Sequence, residues 1–100
     1  MQKPYKPNFG GHTDFEILRE FGERLVALGI PSRWVHAHEP DPDRREILRD
    51  LQNELAAEAR PFVDALARNG HDVPTQRFLI TSVFDQKLAD YRREAEAAHV

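Results

Sequence analysis

The chain has 100 residues, 40% hydrophobic and 31% charged, which is enough apolar material for one core and too little length for two. It holds no cysteine, which excludes a disulfide framework, a thiolate nucleophile and a zinc–thiolate site. A formal net charge of −3 argues against sequence-blind attraction to nucleic acid or to an anionic membrane surface, so nucleic acid is an unlikely partner.

Residues 1–12 contain Pro4, Pro7, Gly10 and Gly11 without apolar periodicity, and they read as an extended arm ahead of one helical domain over residues 13–100. The start has no apolar signal-peptide core, and no apolar run approaches the ~20 residues that span a bilayer. The expected setting is cytoplasmic, with no membrane partner.

Thr13-Asp14-Phe15-Glu16 has the form of a capping box, in which the threonine hydroxyl and the glutamate side chain each satisfy a free amide of the first turn. Phe15, Leu18, Phe21, Leu25 and Leu28 follow at helical spacing, and Gly29 supplies a left-handed stop. The first helix is thus expected over about residues 14–28. The stretch from Ile30 to Pro40 is long enough for one short helical turn.

The second helix is expected to open at Asp41-Pro42, aspartate as N-cap and proline in the first turn, where its missing N–H costs nothing. Leu48, Leu51, Leu55, Ala59, Phe62 and Leu66 then mark one face down to Asn69-Gly70. Pro61 lies inside that run and removes the hydrogen bond to the Ala57 carbonyl, which predicts a kink or a division into two helices. The third helix is expected from about Pro74-Thr75 through Leu79, Ile80, Val83, Phe84, Leu88, Tyr91 and Ala95. No segment alternates with period two, so the expectation is all-α: a small three-helix bundle, four if Pro61 divides the middle helix.

The apolar face of the second helix runs about six turns, against about four for the first, so part of it is expected to lack an internal partner. That excess points to a protein–protein interaction or accessory role, with docking on a larger partner or self-association through Trp34, Val35, Leu51, Leu55, Phe62 and Leu66. The competing expectation is that Trp34 and Val35 fold over the uncovered end.

The alternative function is a metal-dependent or ribonuclease-like helical enzyme. His36-Ala37-His38-Glu39, with Asp41 and Asp43 behind, is the densest set of potential metal ligands, so a divalent metal would sit on His36, His38 and Glu39; otherwise no cofactor is expected. The two imidazoles share a side only in an extended segment, since two residues along a helix turn them about 200° apart. Glu96 and His99 have the spacing used in di-iron bundles, but in one copy where two are required. Arg93 and His99 repeat a spacing used by helical ribonucleases, one that eleven arginines and five histidines produce by chance. A further alternative is a nucleic-acid-binding regulator, but a helix-turn-helix over Leu25–Val35 is disfavoured because Pro31 and Pro40 leave the second element short of the roughly three turns of a recognition helix. Glu46, Asp50, Glu54 and Glu58 form an i, i+4 ladder of like charges, which is expected to be a solvated face eased by nearby arginines.

Overall fold

Helix α1, Asp14–Ala27, begins where the capping box predicts. The Thr13 hydroxyl accepts from the Glu16 amide at 3.3 Å, and Glu16 Oε1 accepts from the Thr13 amide at 3.1 Å. The helix ends against Gly29, which sits at φ +66, a left-handed conformation that glycine adopts without a Cβ penalty. The computed structural model describes residues 11–37 and 44–98, and every regular element among them is a helix.

The helix count departs from the expected three, for a reason other than Pro61. Directly after Gly29 the chain forms α2, Ile30–Ala37, with Pro31 in its first turn. Ile30, Pro31 and Ala37 are buried and Trp34 is half-buried, so the linker is an amphipathic helix of two turns. The third element, α3, runs unbroken from Arg44 to Arg68 with Pro61 inside it. Ala57, whose carbonyl loses its partner to the proline, is exposed, so water can take the place of the missing amide. The Asp41-Pro42 start lies outside the described residues.

Helix α4, Val73–Ala97, follows a tight turn at Asn69-Gly70. Asp72 caps it by accepting from the Thr75 amide at 3.0 Å, and Pro74 falls in the first turn. Pairings along the helices give the topology. Asp14 meets Asn69, Phe21 meets Phe62 and Arg24 meets Glu58, so α1 and α3 are antiparallel. Gly22 of α1 lies beside Val83 and Lys87 of α4, which runs parallel to α1. The approach there is close: a Cβ on Gly22 would stand 2.7 Å from Lys87 Cε.

The core is centred on Ile17, Phe21, Leu25, Ile30, Phe62 and Leu66, all fully buried. Each such side chain contributes roughly 1.5–3 kcal/mol through removal of apolar surface from water. Phe21 and Phe62 pack as tilted rings with centroids 5.1 Å apart. Leu55, Leu79, Ile80, Val83 and Phe84 close the core from its edges. Among the described residues no helix is long and apolar enough to cross a membrane.

Two of the four carboxylates in the α3 ladder are neutralised across the bundle. Arg24 Nε donates to Glu58 Oε2 at 3.0 Å. The Arg33 guanidinium forks onto both oxygens of Glu54, at 3.0 and 2.8 Å, and also reaches the Leu28 carbonyl at 3.1 Å. The hydrogen bond from Arg33 holds the Glu54 carboxyl below its ordinary pKa, with a smaller contribution from the cation's charge. The like-charge cost of the ladder is thereby offset by arginines of α1 and α2.

Candidate functional site

The residues expected to form a docking stripe on α3 are largely internal. Phe62 and Leu66 are fully buried, Leu51 is 3% exposed, and Leu55 is half-buried against the core. Two elements cover the stripe: Phe62 packs on Phe21 of α1, and Leu51 lies beside Arg33 and Ala37 of α2. Trp34 stacks edge-on against Phe84 with centroids 4.9 Å apart, and Val35 is half-buried. The length excess that suggested an open stripe came from treating residues 30–37 as a linker.

His36 lies on the exposed side of α2, where its Nε2 is 3.2 Å from the Tyr91 hydroxyl. Ser32, one turn earlier, donates to the same hydroxyl at 3.3 Å. With Tyr91 donating onward to His36 the three side chains form a relay, and it fastens α2 to α4 at the rim of a small cleft of about 160 Å³. His38, Glu39 and His99 lie outside the described residues, and among the described ones no three His, Cys, Asp or Glu residues gather as a metal set.

A second polar cluster ties the start of α1 to the α3–α4 turn. Asp14 accepts from Asn69 Nδ2 at 2.9 Å and stands 2.5 Å from His71 Nε2, while Asn69 Nδ2 also reaches the His12 carbonyl at 3.2 Å. Gln76, buried in the first turn of α4, donates to the His71 carbonyl at 2.6 Å. The hydrogen bond from Asn69, then that from His71, lowers the Asp14 pKa. A carboxylate with a depressed folded pKa contributes stability that is present above its unfolded value and lost as pH falls through the folded one. Glu54 and the capping residues Glu16 and Asp72 are depressed too. The thermal midpoint is therefore expected to drop on acidification below about pH 4.5, the upper end of these carboxylates' unfolded range. Asp14→Asn should flatten that acid limb, and an unchanged limb in midpoint-against-pH measurements would remove Asp14 from this account.

An open apolar groove lies between α1 and α4. Phe15 and Phe78 stand on its two sides, 72% and 70% exposed. Leu18, Leu79 and Val83 form its floor, and its volume is about 470 Å³. The parallel helices approach closely at Gly22 and leave this trough on their outer side, with Glu23, Gln86 and Lys87 at its far end. Arg19 lies over the Phe15 ring, 6.0 Å from its centroid. A further groove between α2 and α3 is bounded by Arg33, Ala37, Ile47 and Leu51.

No known protein family, curated protein or solved structure matches the chain. Function must therefore be argued from the surface itself. Phe15 was expected to face the core, but the buried series on α1 is Ile17, Phe21 and Leu25. Phe15, Leu18 and Val26 make a second, outward stripe. Phe78 falls outside the three-and-four spacing that starts at Leu79. Phe78 was thus the sequence signal for the groove, while Phe15 fitted the core spacing and only packing could show that the two are neighbours.

Proposed function

We propose that the chain is a helical interaction module whose docking face is the α1/α4 groove, taking an apolar segment of another protein. The observation that carries this reading is the exposure of two phenylalanines facing each other across a continuous apolar trough. Large aromatics concentrate binding energy at interfaces, and monomers seldom leave a pair of them open without a use. A protein accessory role in the cytoplasm belongs to the same proposal, as does the alternative that the segment comes from a second copy of the chain.

A photo-crosslinking amino acid at position 78 is expected to capture a distinct protein in cells, while the same group at Gln52 on the outer face of α3 does not. Phe15→Asp, in a chain whose helical signal is unchanged, should reduce that capture at least tenfold, the loss expected of an anchor worth about 2 kcal/mol. Equal capture at both positions, or none at 78, would sink the reading. Sedimentation separates self-docking from a foreign partner.

A further inference from the structure

We infer that, where no partner segment is present, the α1/α4 face closes on the same face of a second copy of the chain, in an antiparallel two-fold pair that a docking segment must open. The inference rests on the reading of this face as the docking surface and adds its resting state.

The material for such a pair lies along one seam. Lys87 lines both the large groove and the small cleft, so the two lie end to end between α1 and α4. The groove end carries two protruding rings, Phe15 and Phe78. The cleft is lined by Val26, Pro31 and Tyr91 together with Lys87, Asp90 and Glu94, and Val26 is itself 58% exposed. Its volume is about 160 Å³, and a cavity of about 150 Å³ is enough to take up a benzene ring. One chain therefore carries both a knob and a hole of matching size, Phe15 and the cleft at Val26, separated by eleven residues of α1 or about 16 Å. A chain cannot fill its own cleft with Phe15 across that distance. Two copies related by a two-fold axis across α1 fill both clefts at once, which is the reciprocity an isologous interface requires.

The same register pairs the charges. With Phe15 against the partner's Val26, antiparallel helices set Arg19 opposite the partner's Gly22 and Glu23, and the contact occurs twice. Within one chain Arg19 and Glu23 are a loose pair at 3.9 Å, their side chains 63% and 71% exposed, so both can reach across. Gly22 lies beside Val83 and Lys87, which places Phe78 level with Phe15 and Ala89 level with Val26. Phe78 then falls against the partner's Ala89, an exposed small side chain that leaves room for the ring. The competing register, Phe15 on its own counterpart, brings together two first turns that each carry Asp14 and Glu16, at the like-charged ends of two helix dipoles.

A phenylalanine buries roughly 150–250 Å², so the four rings of a pair, exposed by 72% and 70%, withdraw roughly 400–700 Å² from water. The surfaces they cover bring the total to about 1,000 Å², the lower edge for a specific interface. Such a pair is weak, as one that gives way to a partner must be.

Sedimentation equilibrium of the full chain at about 0.1–1 mM should show monomer and dimer in balance, and Phe15→Asp should leave monomer alone. Arg19→Glu or Glu23→Arg, each with the helical signal unchanged, should weaken the dimer about tenfold by setting like charges against each other at both contacts. An equal mixture of the two single variants should dimerise as well as the unaltered chain, because both contacts are then of opposite sign. A monomer at the highest concentration, masses beyond two chains, single variants as tight as the unaltered chain, or a mixture no tighter than its components would each overturn the proposal. The two ideas fail separately: a monomer that still crosslinks a distinct protein from position 78 removes the self-pairing and leaves the docking face. A dimer with the charge rescue but no such crosslink makes the face a seat for a second copy alone.

Discussion

Phe62→Ala is expected to lower the unfolding free energy by about 3–5 kcal/mol, measured as a shift of the denaturant midpoint followed by helical circular dichroism. Phe62 is fully buried, and its ring packs on Phe21 across the α1–α3 contact. It lies one residue after Pro61, where α3 has already lost a backbone hydrogen bond, so a cavity here falls where the helix has least local support. Domains of this size are stable by roughly 5–15 kcal/mol, which makes the substitution a large fraction of the total. Phe15→Ala supplies the contrast. Its ring is 72% exposed, and its removal should change stability by less than about 0.5 kcal/mol. Similar losses at both positions would mean that the groove phenylalanine is part of the core rather than a face beside it.

The boundaries written in local chemistry were legible in the sequence. The Thr13 capping box, the Gly29 stop and the turn at Asn69-Gly70 each depend on side chains within a few residues, and each appears where the pattern places it. Two proline effects depend on surroundings that the sequence does not display. Pro31 and Pro40 seemed to bracket a linker, yet a proline in a first turn is compatible with a helix, and Ile30, Trp34 and Ala37 give the intervening residues an apolar side. Of the kink or division expected at Pro61, the division does not occur, because Phe62 beside it packs in the core with Phe21 and Leu25. The destination of an apolar stripe was the least legible feature. Phe62 and Leu66 on α3 look no different in sequence from Phe15 and Leu18 on α1. Packing in the core with Phe21 of α1 makes the first pair internal and α2 covers Leu51 further along the same face, while α4 leaves an open trough beside the second.

The cover that α2 gives Leu51 can be tested by detaching it. Ile30→Ala is expected to cost roughly 2–5 kcal/mol, because Ile30 is fully buried and is the residue through which the first turn of α2 joins the core. The loss should be felt along the whole element. Trp34, the sole tryptophan, sits on α2 against Phe84, so its emission should move to longer wavelength as the helix loosens and the indole meets water. Leu51 of α3 lies beside Arg33 and Ala37 of α2 and is 3% exposed; loosening α2 uncovers it. The chain should then acquire further concentration-dependent self-association, seen by sedimentation, through the stripe of Leu51 and Leu55. Arg33→Ala breaks the fork onto Glu54 but leaves Ile30 seated, and because both side chains are partly exposed it should cost no more than about 1 kcal/mol with the tryptophan emission unchanged. If Ile30→Ala lowered stability while Trp34 emission and sedimentation stayed as in the unaltered chain, α2 would be a passenger on the core. The burial of Leu51 would then need another cause.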